Sequence, residues 1–267
     1  MNHYFYQMRF VVGGACCLLS FFVNAQIRLT TLELKPKEVY SLETSDILVL
    51  DTLIMRDSSS IILTQEKKDF FIHSKKLVIG KGCRIIGKGE SGKPGKDGAK
   101  GLTGEGPCRD GATGKGGTGG SHADNGKNLS IYTTELIIKG NLLLELSGGD
   151  GGDGGKGGEG GGGSPGTRVC IGGNGGSGGN GSSGGNGGDA GNLLIVCKNC
   201  TNIRSWLNHS LMVRTYGGNA GLGGAGGQGG SAGLNPTGNS SQDGKHGSKG
   251  KAGSDGQAGK NGAINFQ

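Results

Sequence analysis

Short apolar runs, separated by polar or glycine corners, occupy the chain between residues 26 and 88. They lie at residues 47–50, 53–55, 61–63, 70–72, 77–79 and 84–86. Runs this short at this spacing are typical of β-strands, and no stretch carries a helical apolar period with caps. We therefore expect residues 26–88 to form a β domain, built either as a short β-solenoid or as a sandwich.

A similar β unit recurs twice, at residues 127–147 and 192–216. The third unit contains apolar runs at residues 193–196, 206–207 and 211–213, and we predict that each forms a strand. Every unit leads into a glycine-rich stretch. An internal repeat of roughly 60 to 70 residues, made of a β unit and a glycine excursion, is typical of stacked modules that share one core.

Glycine accounts for 63 of the 267 residues and recurs at every third position in three stretches. In the central stretch, residues 148–166 read GGDGGDGGKGGEGGGGSPG; the register breaks at residues 167–171 and resumes through residue 191. The other two stretches have the same form, with breaks at residues 107–110 and 235–242. A glycine period that stops and then resumes predicts a hairpin, in which the break forms the turn between two extended segments. We expect three hairpins, at residues 89–126, 148–191 and 217–267.

The threefold period has a physical meaning in backbone hydrogen bonding. A left-handed helix with three residues per turn makes no internal hydrogen bonds, so its N–H and C=O groups need partners on neighbouring segments. Any face that touches a neighbouring backbone must be glycine, because a Cβ would hold the chains apart. The fold class is therefore predicted as mainly β with polyglycine II, in which a β base carries three hairpins, or six extended segments, packed as a slab.

The triplet type predicts where each segment lies in that slab. Triplets of the form GGX have two bare faces and suit inner segments; they dominate residues 148–163, 172–189 and 217–234. Triplets of the form GXX have one bare face and suit edges; they dominate residues 89–106 and 243–263. We therefore expect the middle hairpin at the centre and the first and last segments at the edges.

These repeats resemble those of known glycine-rich proteins. The sequence GGNGGSGGNGSSGGNGGDAG, residues 172–191, is similar to the repeats of mycobacterial PGRS proteins. The six-segment plan resembles the polyglycine II bundles of snow flea antifreeze protein and of phage tail-fibre adhesin tips. The sequence GESGKPGKDGAKGLTGEG, residues 89–106, looks like bacterial collagen-like proteins. The resemblance covers about half the chain and implies a backbone form rather than a function.

A collagen-like trimer is the main alternative to the bundle within one chain. Collagen needs abundant proline, and this chain has five prolines. A trimer also gives no reason for the change from GXX to GGX triplets. We therefore favour a monomer.

The N-terminus reads as an export signal. An apolar stretch at residues 10–23 is followed by a small-residue site, and cleavage is predicted after Ala25. The stretch is short for a membrane span. A lipid anchor at Cys16 is an alternative, although the leucine expected before such a cysteine is missing. The mature protein is expected to be exported, either extracellular or associated with the cell surface or outer membrane, and not integral to a membrane.

The formal net charge of +7 is spread over alternating Lys and Asp or Glu residues. Solvation of a glycine surface accounts for this pattern. The alternative that assigns a function to the charges is attraction to an acidic surface polysaccharide. Nucleic acid is not expected as a partner, because no basic residues alternate with stacking aromatic side chains.

Cysteines in an exported chain are disulfide candidates. Cys108 and Cys170 lie in the breaks of the first two hairpins, and outgoing segments of equal length place both breaks at one height. We therefore predict a Cys108–Cys170 disulfide. Cys197 and Cys200 have CxxC spacing, for which we expect a structural disulfide, either with each other or with Cys83.

The sequence contains only weak matches to metal-binding and nucleotide-binding motifs. The opening of a calcium-binding GGxGxD repeat at residues 148–153 lacks the apolar residue that should follow, and a P-loop-like stretch at residues 87–93 is followed by Pro94 where Ser or Thr is needed. The histidines are scattered and no carboxylate pair stands out. We expect no enzyme activity, no cofactor and no metal.

The expected function is binding, by an exported structural or adhesive surface protein whose unidentified partner is a surface protein or polysaccharide. The candidate contact residues lie in the three breaks: Pro107, Arg109, Asp110, Thr167, Arg168, Asn235, Pro236 and Asn239. A second candidate is a docking face on residues 217–234, with Leu222, Ala225 and Leu234, unless another segment covers it. Alternatives are an accessory subunit of an outer-membrane complex, a collagen-like trimeric stalk and an ice-binding protein.

Overall fold

A computed structural model describes residues 27–43 and 45–267, so the predicted export signal and Cys16 lie outside the described residues. The described chain is mainly β, with two short 3₁₀ helices at Ile203–Trp206 and Ser240–Gln242. The strands are β1 (Ile27–Leu34), β2 (Val39–Leu42), β3 (Ile47–Met55), β4 (Ser60–Leu63), β5 (Asp69–Ile79), β6 (Cys83–Ile86), β7 (Asn128–Ile138), β8 (Leu142–Glu145), β9 (Leu193–Cys197), β10 (Leu211–Arg214) and β11 (Ile264–Phe266).

The strands form two parallel sheets. One sheet has the order β1-β3-β5-β7-β9-β11 and the other β10-β8-β6-β4-β2. Consecutive strands therefore alternate between the sheets, so that each pair of strands makes one coil stacked on the previous coil. Every pairing between the named strands is parallel, which excludes the antiparallel sandwich that the sequence left open.

Buried aliphatic side chains stack in columns between the two sheets. In the larger sheet, Leu48, Ile72, Ile131 and Ile195 are paired in register and are almost fully buried. A matching column of Ile61, Ile85 and Leu144 lies in the other sheet. Because side chains alternate between the two faces of a strand, these columns set the register of every coil. The three β units of the sequence thus share one continuous core.

The structure corrects three details of the strand prediction. The runs at residues 47–50 and 53–55 are parts of one strand, β3, and those at residues 70–72 and 77–79 are parts of one strand, β5. Residues 206–207 are not a strand, because the chain there forms the end of a 3₁₀ helix. Ile264–Phe266 was assigned to the third hairpin but forms β11, which pairs with β9.

The glycine stretches contain no strand, and each connects a strand of the smaller sheet to a strand of the larger one through two extended segments, six in all. We call these segments legs 1 to 6; they comprise residues 89–106, 111–126, 148–166, 172–191, 217–234 and 243–263. Their backbone hydrogen bonds join different legs and repeat every third residue. From leg 1, for example, the N–H groups of Gly92, Gly95 and Gly98 donate to the carbonyls of Asp150, Asp153 and Lys156 in leg 3.

These hydrogen bonds arrange the legs in two layers. Legs 1, 3 and 5 run parallel in one layer, and legs 2, 4 and 6 run parallel in the other. Bonds between antiparallel legs join the layers, as from Gly155 to Thr118 and from Gly179 to Gly158. Legs 3 and 4 each bond to four other legs, whereas legs 1 and 6 bond to two. The middle hairpin is therefore innermost, which agrees with the order expected from the triplets.

The layers of legs continue the two β-sheets. β6 pairs with β8, and leg 1, which follows β6, pairs with leg 3, which follows β8. The hydrogen bond from Gly87 N–H to Glu145 O connects the two pairings. Likewise, Gly126 N–H donates to Asp189 O, and this pairing of legs 2 and 4 runs on into β7 and β9. Each hairpin thus lies where the chain passes from the smaller sheet back to the larger one, and the stacked coils fix the register of its legs.

Candidate binding surfaces

The breaks of the three hairpins lie together at the end of the legs far from the sheets. We call this surface the tip; it comprises residues 105–110, 165–171 and 235–242. Cys108 N–H donates to Pro165 O at 2.9 Å, and Arg109 N–H donates to Ser164 Oγ at 2.8 Å. The first two breaks are therefore in direct contact.

A disulfide between Cys108 and Cys170 joins these two breaks, as the equal leg lengths predict. The bond closes a loop with a sequence separation of 62. Cys197 and Cys200 form a second disulfide, next to the end of β9. Disulfides persist in oxidising compartments, so both bonds indicate an extracellular environment. Cys83 is a buried free thiol in β6 and is not the partner of either cysteine in the CxxC pair.

Asn235 attaches the third break to the second. Its side-chain amide donates to Thr167 O at 2.9 Å and to Cys170 O at 3.1 Å, and its own N–H donates to Asp243 Oδ1. The residue is only 5% exposed. Asn235 is therefore a structural link rather than the exposed contact residue that the sequence suggested.

The other predicted loop residues have mixed surroundings. Pro107, Arg109, Arg168, Pro236 and Asn239 are exposed at the tip. Asp110 accepts a backbone hydrogen bond from Asn174, Thr167 Oγ1 lies 3.1 Å from Cys170 Sγ, and Asn239 accepts one from Ser241 N–H at the start of a 3₁₀ helix. Two arginines and two prolines thus remain free to contact a partner.

The tip and the adjoining end of leg 5 also expose large apolar side chains, of which the sequence singled out only Leu234. Val169 is 94% exposed, Ile171 58% and Leu234 67%. Large apolar side chains gathered on one surface of a folded chain are typical of interaction sites. The run Thr-Arg-Val-Cys-Ile within a glycine stretch was the available signal, because it places two β-branched apolar residues where polar turn residues are usual.

The predicted docking face on leg 5 is exposed. Leu222 is 63% exposed, and Ala225 is exposed beside it, so no other leg covers this row. The row shares a surface with the outward residues of legs 1 and 3, which we call the odd-leg face. On that face a shallow depression of about 440 Å³ lies where leg 3 has Gly162 as its outward residue, between Thr103 and Ser231.

Two ionisable groups, Glu159 in leg 3 and Lys127 between leg 2 and β7, have shifted pKa values. The Lys100 ammonium donates to Glu159 Oε2 at 2.8 Å and holds the pKa of that carboxyl below its usual range. Burial lowers the pKa of Lys127, against the attraction of Asp124 and Glu90. Each shift follows from one local contact or from burial, and the two groups are not part of a common cluster.

Asn and Asp residues at the outward positions have a role that sequence reasoning missed. Their side-chain oxygens accept outward N–H groups of the neighbouring leg in the same layer: Leu222 N–H donates to Asp153 Oδ1 at 2.8 Å, and Lys251 N–H donates to Asn180 Oδ1 at 2.9 Å. The same contact recurs along legs 1, 2, 3 and 4. These side chains therefore satisfy backbone donors that the regular ladder leaves unpaired.

Residues 27–43 and 45–267 contain neither a cluster of metal-ligating side chains nor a helix of membrane-spanning length and hydropathy. Within these ranges, no group of three or more His, Cys, Asp or Glu side chains is placed to hold a metal ion. No helix there is long and apolar enough to cross a membrane.

Comparisons with known proteins identify no family for the chain. No family description and no curated protein matches it. Among solved structures, one similar chain is the nine polyproline type II helical bundle springtail antifreeze protein from Granisotoma rainieri. The identity is 27%, the match covers 60% of this chain and 92% of that chain, and the TM-score is 0.10. A TM-score this low carries no argument about fold or function.

Proposed function

We propose that this protein is a non-enzymatic, exported structural or adhesive protein that binds a partner at a cell surface through its tip. The observation that carries the proposal is the exposure of Val169 and Ile171 on the second break, with exposed Leu234 at the adjoining end of leg 5. The three breaks are held together by a disulfide and by Asn235. In this proposal the signal peptide ends at Ala25 and the β coils form the base from which the tip projects.

The legs act in the proposal as a preorganised support of polyglycine II. Their period-three hydrogen bonds connect each leg to neighbours of the same chain, as a polyglycine II slab requires. A binding surface that is already ordered loses less conformational entropy when it meets its partner. The same bonds use the groups that a collagen helix would bond between chains, which supports a monomer over a collagen-like trimer.

A second candidate surface is the exposed row on leg 5. Leu222 and Leu234 are both well exposed, which favours docking to another protein, as in the accessory-subunit alternative. Ice binding is less well supported, since the neighbouring row on leg 3 carries Asp150, Asp153, Lys156 and Glu159.

The test replaces the apolar tip side chains. V169S/I171S is expected to weaken binding to intact source cells by tenfold or more, because two buried apolar side chains contribute on the order of 3 kcal/mol to such a contact. The measurement is a saturation curve with labelled protein. Val39→Ser is the control, because Val39 is an apolar residue on the β base that is as exposed as Ile171, at 58%. Unchanged binding by the tip variant, or equal loss with Val39→Ser, would count against the proposal.

A further inference from the structure

The surface formed by legs 2, 4 and 6 differs in chemistry from the tip and from the odd-leg face. We call it the even-leg face. Its three rows of outward residues, in order along each leg, are Thr113, Gly116, Gly119, His122 and Asn125 on leg 2, with the tip residue Asp110 preceding them in the same register; Asn174, Ser177, Asn180, Ser183, Asn186 and Asp189 on leg 4; and Lys245, Ser248, Lys251, Ser254, Gln257 and Lys260 on leg 6.

Hydrogen bonding makes this face rich in donors. The side-chain oxygens of Asn174, Asn180 and Asn186 accept the N–H groups of Lys245, Lys251 and Gln257, at 2.8 to 2.9 Å. Because an amide oxygen is committed in each case, its NH₂ group is left to face solvent. His122 likewise accepts the Asn186 N–H through Nδ1, so its other ring nitrogen carries the proton.

The face also carries more positive than negative side chains. Lys245, Lys251 and Lys260 are exposed, and none of them is in an ion pair within the described residues. The carboxylates on the face, Asp110 and Asp189, each accept a backbone N–H. Three lysines against two aspartates give the face a net positive charge, and a ligand would meet ammonium groups and amide donors along legs 4 and 6.

The shape of the face limits the kind of ligand. The hydrogen bonds between the legs repeat every third residue along their length, so the outward residues form parallel rows in which a triplet spans roughly 9 Å. Gly116 and Gly119 leave bare backbone on leg 2 beside Asn180 and Ser183. The outward residues include no large apolar side chain that could insert into a lipid bilayer, and no Phe, Tyr or Trp on which a nucleic-acid base could stack.

We infer that the even-leg face binds a linear anionic polysaccharide laid along legs 4 and 6. Lys245, Lys251 and Lys260 neutralise its carboxylate or sulfate groups, and the amide groups of Asn174, Asn180 and Asn186 donate to its hydroxyl and ring oxygens. This site is separate from the tip, so it does not depend on what the tip binds.

Polygalacturonate, which carries a carboxylate on each sugar, is the probe for the test. We expect saturable binding that weakens as salt rises, and no binding of uncharged dextran. K245Q/K251Q/K260Q is expected to bind on the order of tenfold more weakly. The matched control, K93Q/K96Q/K156Q, removes the same charge away from the face and is expected to retain binding.

A second pair of variants separates recognition from folding. N180D/N186D keeps both backbone contacts, since Asp189 makes the same contact by carboxylate, but it replaces two donors with two negative charges. This variant is expected to fold normally and to lose binding, whereas D150N/D153N on the odd-leg face is expected to bind like the parent protein. V169S/I171S is also expected to bind polygalacturonate normally, which separates this site from the tip.

Three results would overturn the inference. They are absence of polygalacturonate binding at low salt, equal losses in the two lysine triple variants, and binding of single-stranded DNA as tight as that of polygalacturonate at matched charge. The second would mean that only net charge matters, and the third that the face does not select a glycan.

Discussion

At the scale of single residues, glycine and the Asx side chains have complementary roles. Inner glycines let two backbones approach so closely that a Cβ has no room; at Gly158, for example, it would collide with the carbonyl of Ala99. Asn and Asp occupy outward positions, where a side chain has room and can accept an unpaired N–H. The sequence pattern therefore follows from backbone hydrogen bonding on both sides of each leg.

The first prediction concerns the inner glycines. Gly158→Ala is expected to lower the free energy of unfolding by about 1–3 kcal/mol or more, because no rotamer change can relieve the clash between the added methyl group and the neighbouring backbone. Gly116→Ala is the control, because the nearest atom to its Cβ would be Asn180 O at 3.4 Å. Equilibrium denaturation of both variants tests this, and equal stability of the two would contradict the close packing.

The second prediction concerns the Asx contacts. Asp153→Ala is expected to lower the free energy of unfolding by roughly 1 kcal/mol, because Leu222 N–H loses its acceptor. Asp153→Asn should restore most of the loss, since the amide oxygen can accept the same bond. Thermal unfolding of the two variants gives the comparison, and an Ala variant as stable as the Asn variant would show that the contact contributes nothing.

At the scale of elements, the fold depends on a change from β-strands to glycine legs within continuous hydrogen-bonded layers. The strands place Leu48, Ile61 and similar side chains between the two sheets, whereas the legs place bare glycine between their layers. Because the ladder of β6 and β8 continues into legs 1 and 3, the buried columns of the base set the register of the legs.

The third prediction concerns the disulfide at the tip. C108S/C170S is expected to lose roughly 4 kcal/mol, because the bond closes a loop with a separation of 62 residues. C197S/C200S, whose separation is 3, is the control and should lose about half as much. Chemical denaturation measures both, and a larger loss in the control would contradict the proposed restraint on the tip.

Much of this element layout could be predicted from the sequence, and the misses have physical reasons. The period of three and the breaks at Cys108 and Cys170 located the hairpins and one disulfide. Short apolar runs could not distinguish parallel coils from a sandwich, since both bury alternate side chains. Ile264–Phe266 was missed because three residues after a long glycine stretch form a strand only by pairing with β9.

The binding surfaces were less predictable than the fold. Asn235 looked like an exposed turn residue, and only the meeting of two breaks buries it against Thr167 and Cys170. The donor-rich face of legs 4 and 6 was hidden for a similar reason. Nothing local reveals that Asn180 uses its oxygen on the backbone of a segment 71 residues away.

At the scale of the whole molecule, the β base offsets the entropic cost of ordering the glycines of the six legs, because glycine loses more conformational freedom on folding than any other residue. The buried columns belong to the base, and the legs add hydrogen bonds with little apolar burial. The legs should therefore unfold if the base does.

The fourth prediction concerns the coupling of base and legs. Ile131→Ala, in the core of the base, is expected to cost 2–5 kcal/mol and to lower the unfolding temperature of the legs as well as of the sheets. Far-ultraviolet circular dichroism and proteolysis within residues 148–191 would follow the two parts. Independent melting of the legs would contradict the coupling.

Amide hydrogen exchange of the native protein, at a concentration where native mass measurement gives a monomer, tests the central claim of a single-chain glycine slab most directly. We predict that Gly155, Gly158 and Gly179, in the middle hairpin, exchange as slowly as the amides of β5 and β7, and that edge legs 1 and 6 exchange faster. Exchange of the glycine amides at unfolded rates in the monomer, or protection that appears only when a trimer forms, would contradict the account.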